Sequence, residues 1–304
     1  MVPDSPAAYS SIPAAPVFVL PAGTGNPIGR QPPVTPEIPA LDRCQVWDVP
    51  FDCVTLTEAV DHIDRLVQRG MPSYVITANV NYVMLHHEQS DIPPITESAD
   101  LILADGQPIV WRSQFSGTTL PERVAGSELI YNLACRAAHN RWGIYFLGGK
   151  PGVAEKCAKR LERDYPGMRI AGIESPPFRQ LTAQEQADQD RRIQNSGAQI
   201  LLVAFGQPKG ERWIHQHYQR LGVPVSIQLG ASFDFIAGTA KRAPAIWQNI
   251  GAEWAYRMCS DPKRLIPRYW SNALFLAKAM VRDWKQTLSR RDKTLDDSLD
   301  RARV

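Results

Sequence analysis

Asp105 follows the apolar run Leu101–Ala104 and precedes Gly106. A carboxylate edged by apolar neighbours is suited to general-base work, because partial desolvation raises its pKa toward neutrality. The same position also suits a helix N-cap for residues 107 onward. Thr77 and Asn79 close the apolar run Tyr74–Thr77. They can donate and accept hydrogen bonds to a polyhydroxylated ligand, or cap the helix that follows. Gly148-Gly149-Lys150-Pro151-Gly152 joins a strand to a helix. Glycines there let the backbone approach an anion, and a helix N-terminus offers unpaired N–H groups. The segment matches neither a Walker loop nor a GxGxxG fingerprint, so an ordinary tight turn stays open. Arg123 can bind phosphate or pair with its neighbour Glu122.

These residues need a scaffold that gathers strand ends. Gln45–Val49 reads as a short strand. Thr55-Leu-Thr-Glu58 has capping-box spacing and opens a helix that Gly70 can close. Apolar runs follow at 74–77, 99–104, 142–147, 168–173, 200–205 and 225–229, separated by helical patterns at 79–87, 126–140, 151–165, 183–195 and 209–221. Alternating β and α segments with solidly apolar strands imply a parallel sheet covered on both faces. The expected fold is α/β: a Rossmann-like, mostly parallel sheet with a C-terminal helical appendage. Ligands bind beyond the carboxyl ends of such strands, where Thr77, Asn79, Asp105, Gly148, Gly149, Gly206, Gln207 and Gly230 all fall.

The boundaries read as a disordered Pro/Ala-rich tail over 1–42, an α/β domain over 43–240 and the appendage over 241–304. With 304 residues the chain suits one large domain or two modest ones. Five scattered cysteines form no CxxC pair and fit a reducing compartment. The apolar stretch 16–21 has no basic residue before it, so no signal peptide is expected. No apolar run is long enough to span a bilayer. The expected location is cytoplasmic and peripheral, on the inner face of the membrane.

Charge is unevenly placed. Residues 1–240 carry 20 Lys/Arg against 24 Asp/Glu, whereas 241–291 carry 11 against 3. Within 265–288 aromatic and aliphatic residues fall on one helical face, bordered by Arg264, Arg268, Lys278, Arg282 and Lys285. That pattern suits an interfacial helix on an anionic membrane surface, or a surface helix packed on the body. An acidic body without a nucleic-acid-binding signature excludes DNA and RNA as partners.

Taken in order, several stretches resemble the WecG/TagA/CpsF family (glycosyltransferase family 26). They are Thr77-Ala-Asn79, Ala99–Gly106, Glu122-Arg-Val-Ala-Gly126, Phe146–Glu155, Leu202–Glu211, Gly230–Asp234, Gly238–Pro244, Glu253–Arg257 and Asp261–Arg264. The resemblance covers roughly 45–270. It implies an inverting, metal-independent enzyme that needs no cofactor. Such an enzyme moves a hexose or N-acetylhexosamine from a UDP-sugar to a polyprenyl-diphosphate-linked glycan. It further implies that Asp105 is the base, with Thr77 and Asn79 near the sugar and Arg123 at a phosphate. Gly148, Gly149, Gly152 and Asp234 would hold the nucleotide, and Gly206 and Gln207 would bind substrate. Arg257, Arg264 and Arg268 would close over the diphosphates from the appendage. Homo-oligomerisation is left open.

Two places depart from the family pattern. Gly210 stands where the family usually has glutamine in GxPKQE, and Gln107-Pro108-Ile109-Val110 replaces its usual Gly-Val-Val. The first departure is the argument for a rival, a non-catalytic, membrane-docked component of a polysaccharide assembly. A second rival, another nucleotide-binding Rossmann-like enzyme such as a dehydrogenase, lacks its GxGxxG.

Overall fold

The structure is a computed structural model that describes residues 38–240, 258 and 262–301. Most of the segment read as a tail, 1–37, lies outside the described residues. Ile38 and Leu41 pack against the core.

The chain enters through a hairpin, not the single strand expected over 45–49. Strands β1 (Arg43–Val46) and β2 (Val49–Asp52) pair antiparallel. Both turn residues, Trp47 (φ 48°) and Asp48 (φ 62°), have positive φ. That is the geometry of a type I′ hairpin, and the sequence lacks the Asn-Gly or Asp-Gly that usually announces one.

Helix α1 (Leu56–Arg69) starts at a capping box on Thr55 and Glu58 and ends at Gly70 with φ 71°. There follow β3 (Ser73–Ala78), α2 (Val80–Glu88), α3 (Ile92–Glu97), β4 (Leu101–Ala104) and α4 (Gln107–Ser113). Next come α5 (Gly126–Asn140), β5 (Gly143–Gly148), α6 (Val153–Asp164), β6 (Arg169–Glu174) and α7 (Ala183–Asn195). The body closes with β7 (Ile200–Ala204), α8 (Lys209–Leu221), β8 (Val225–Gln228) and α9 (Ser232–Ile236). Short α3 and α9 have too few residues to show a helical period and were not expected; α4 starts at residue 107, where the sequence allowed a helix.

Six strands form one parallel sheet in the order β4-β3-β8-β7-β5-β6. Side chains alternate between its faces. Leu101, Leu103, Ile144, Phe146, Ile200 and Leu202 meet α1, α5, α6 and α9. Ile102, Tyr145, Leu147, Leu201 and Val203 share the opposite core with residues of α2, α3, α4, α7 and α8. Crossovers toward β4 put their helices on this second face, and crossovers toward β6 put α5 and α6 on the first, with the short α4 after β4 packing on the second. A single crossover hand requires that division. After β3 and β7 the chain turns to one face, and after β8 and β5 to the other. The sheet therefore opens into crevices at its carboxyl edge between those strands.

The appendage helix α10 (Pro262–Arg301) begins earlier than the sequence pattern suggested. Pro267 consequently lies in its second turn, not its first, where the missing N–H removes one helical bond. One face of α10 packs on the body. Leu265, Asn272 and Ala279 are buried, and the Phe275 ring meets those of Trp47 and His87. Asp283 accepts from Arg112 at 2.6 and 3.1 Å and from the Trp47 indole at 3.1 Å. A second face exposes Ile266, Trp270, Leu274, Met280 and Val281. No helix among the described residues is long and apolar enough to cross a membrane.

Candidate active site

Asp105 is half-buried at the end of β4, and its N–H donates to Ala78 O at 2.9 Å, which sets it beside the end of β3. Of the two roles open to it, the cap of α4 falls to Gly106 instead. A Cβ on Gly106 would stand 3.8 Å from Asn79 Cα, so the two strand ends adjoin closely. Val124 N–H donates to Ala104 O at 2.9 Å and brings Arg123 to the same mouth. The Arg123–Glu122 pair considered from sequence does not form. Arg123 donates to Glu128 at 3.1 Å, while Glu122 turns to the first turn of α1 and accepts from Leu56 N–H at 2.6 Å.

Asn79 caps α2, its Oδ1 accepting from Tyr82 N–H at 3.2 Å. Thr77 is buried, and its hydroxyl donates across the sheet to Gln228 O at 2.9 Å. The hydroxyl proton is thereby committed, while the oxygen retains acceptor capacity.

Gln207 connects three elements. Its amide nitrogen donates to Thr77 O at 3.3 Å; its oxygen accepts from Asn81 at 3.4 Å and from Arg268 of α10 at 3.2 Å. An appendage arginine thus reaches the carboxyl edge of the sheet. Of the other two expected there, Arg257 lies outside the described residues, and Arg264 stands in the first turn of α10 with its side chain likewise outside them.

The 148–152 loop sits beyond β5. Gly148 has φ 108°, and a Cβ there would lie 2.9 Å from the Ala204 carbonyl, so only glycine fits. Gly149 N–H donates to Ala204 O at 3.1 Å. Gly152 (φ 78°) begins α6 with no side-chain cap. Asp234, in α9, accepts from the Thr239 hydroxyl at 3.1 Å. Burial, reinforced by the Asp234 charge, pushes the Cys157 thiol of α6 up to about 12.

Along the edge the order is Asp105, Asn79, Gly230, Gln207, Gly148. Four strand intervals of about 4.8 Å span roughly 19 Å. That is room for a nucleotide at one end and a reacting sugar at the other.

The sequence reading passed over Gln228, which is 1% exposed, and gave no role to Glu211. A Cβ added at Gly210 would stand 2.4 Å from the Gln228 amide, which explains why this chain has glycine there. Oriented to satisfy both ends, that amide donates to Val203 O at 2.6 Å and accepts from Gly206 N–H at 3.1 Å. It ties the Gly206 loop to β7 and cannot move without losing those bonds. We expect Gly210→Ala to destabilise the fold by about 2–3 kcal/mol through overpacking and lost hydrogen bonds. Thermal unfolding of the variant checks this, and adding Gln228→Ala should recover part of the loss. The only sequence signal for Gln228 is a glutamine closing an apolar strand, which names no partner.

The fold is a Rossmann-like α/β sheet whose carboxyl edge gathers most of the candidate residues. Comparison with known proteins narrows this. The description Glycosyl transferase WecG/TagA/CpsF family matches residues 44–290, and the chain belongs to that family. It is similar to the N-acetylglucosaminyldiphosphoundecaprenol N-acetyl-beta-D-mannosaminyltransferase of Bacillus spizizenii (strain ATCC 23059 / NRRL B-14472 / W23). The two are 30% identical over 220 residues, covering 70% of this chain and 84% of the relative. The protein of the same name from Bacillus subtilis (strain 168) is 26% identical over 230 residues, covering 74% and 88%.

Proposed function

We propose that the chain transfers a hexose or N-acetylhexosamine from a UDP-sugar to a polyprenyl-diphosphate-linked glycan, with inversion at the anomeric carbon. The observation that carries this is the arrangement at one sheet edge. The Asp105 strand end adjoins that of β3, Val124 ties the Arg123 segment to Ala104, and the appendage residue Arg268 reaches Gln207, which bonds Thr77 of β3. The names of the two relatives supply the acceptor class, a sugar on undecaprenyl diphosphate.

Asp105 takes the proton of the acceptor hydroxyl as its oxygen attacks the anomeric carbon. The bond from that carbon to the UDP oxygen breaks in the same displacement, and UDP leaves. Arg123 and Arg268 steady its growing charge by charge-assisted hydrogen bonds, which strengthen as the leaving group departs. Asn79 and the Thr77 oxygen border the sugar; the 148–152 loop, Gly206 and Asp234 hold the nucleotide. The apolar stripe of α10 rests on the anionic inner face of the membrane, where a lipid-linked acceptor resides.

The test is a screen of radiolabelled UDP-N-acetylmannosamine, UDP-N-acetylglucosamine and UDP-glucose against a prenyl-diphosphate-linked N-acetylglucosamine. Label entering the lipid fraction with stoichiometric UDP release is expected for one donor. No transfer from any donor, with calorimetry showing NAD bound and UDP not, would move the chain to another class of Rossmann-like enzyme.

A further inference from the structure

Glu211 lies in the first turn of α8, one turn beyond Gln207, and is 1% exposed. Among the described residues neither carboxylate oxygen has a hydrogen-bond partner. A buried carboxyl group in that state opposes folding, so a plain structural role does not explain it. Its surroundings do point somewhere. The Gln207 amide lies near it, and the positive charges of Arg268 from α10 and Arg212 from α8 both act on it. The Tyr82 phenol of α2 feels its charge as well. Arg268 in turn donates to Gln207, at the mouth assigned to the diphosphate.

We propose that Glu211 is a positioning residue that holds the Arg268 guanidinium over Gln207, so that the appendage presents its cation to the leaving nucleotide. The attraction needs no direct contact, because a buried charge is poorly screened. The ionised carboxylate holds the arginine; the protonated acid releases it. Burial raises the Glu211 pKa to about 7, against the lowering by Gln207 and the two arginines. The hold is therefore present above neutrality and lost below it. The proposal rests on the transferase reading above.

The sign of the stability effect follows from linkage. A carboxyl group whose pKa is higher folded than unfolded lowers stability increasingly as pH rises from the unfolded pKa to the folded one. Glu211→Gln should therefore melt several degrees higher than the parent at about pH 8, with the gain shrinking as pH falls and vanishing at about pH 4, below the unfolded carboxyl pKa. The same variant should lose roughly tenfold in kcat, about 1.4 kcal/mol of barrier. UDP should bind it no more weakly, since a negative charge has been removed. Its kcat should lack the inflection near neutrality. In an Arg268→Ala background, Glu211→Gln should bring no further loss, because the residue acts through that arginine.

Full additivity of the two substitutions, or a parent-like rate and pH profile in Glu211→Gln, would overturn the proposal. Should Glu211→Gln not fold, Arg268→Ala alone decides the matter. Removing the arginine through which Glu211 acts must abolish the inflection near neutrality, and an inflection that persists is the negative result. An Asp105→Asn variant run alongside separates the two ideas. Its loss of turnover speaks to the transferase reading, while melting and coupling data speak to Glu211.

Discussion

Replacing Asp105 with asparagine is expected to lower turnover by about 10²- to 10⁴-fold, the range of a general base removed from the reacting proton. That corresponds to roughly 3–5 kcal/mol of barrier. The fold should be untouched. The cap of α4 belongs to Gly106, and the bond that seats residue 105 beside β3 comes from its backbone N–H to Ala78 O. An asparagine keeps the shape and the backbone bond and cannot accept the proton. UDP affinity by calorimetry and the melting temperature should therefore match the parent. A near-parental rate would remove Asp105 from the mechanism. A rate loss accompanied by unfolding would show the carboxylate to be structural.

The second large effect concerns the exposed stripe of α10. Leu274 and Met280 are 47% and 65% exposed, and Ile266, Trp270 and Val281 share their side of the helix. Changing both Leu274 and Met280 to glutamate removes two side chains that would enter the interface and adds charges that anionic lipid repels. At roughly 1–2 kcal/mol for each partly exposed side chain, the loss is about 2–4 kcal/mol, or on the order of 30- to 1000-fold in partitioning. Co-sedimentation with phosphatidylglycerol vesicles measures it, and unchanged partitioning would count against the membrane role. Point changes serve better than deletion of the appendage. Ala279 belongs to the core, and Asp283 bonds Arg112 and Trp47, so removing α10 would uncover the body. A detergent-solubilised acceptor should restore much of the turnover of the double variant, because its catalytic edge is intact.

Much of the scaffold was legible because its signals are local. The capping box at Thr55, the αL closure at Gly70 and the apolar runs of β3 to β8 each state their element within a few residues. The hairpin was not, since Trp47 and Asp48 adopt positive φ without the residues that usually require it. Glu122 and Arg123 show a different limit. Adjacent opposite charges suggested a pair, but the chain sends one to α1 and the other to Glu128. Sequence neighbours share no partner when the backbone between them turns.

By itself the sequence determined a parallel α/β sheet, a carboxylate and glycines at its strand ends, and a basic amphipathic helix behind it. Each depends on periodicity, on turn chemistry or on charge within one segment. Only the tertiary structure decided which strand ends are neighbours, that Gln207 joins Thr77, 130 positions before it, to Arg268, 61 positions after it, and that Gln228 fills the space beside Gly210. Those are facts of packing. Strand order and helix docking bring distant residues within bonding distance, and nothing in the spacing of the residues along the chain encodes that distance.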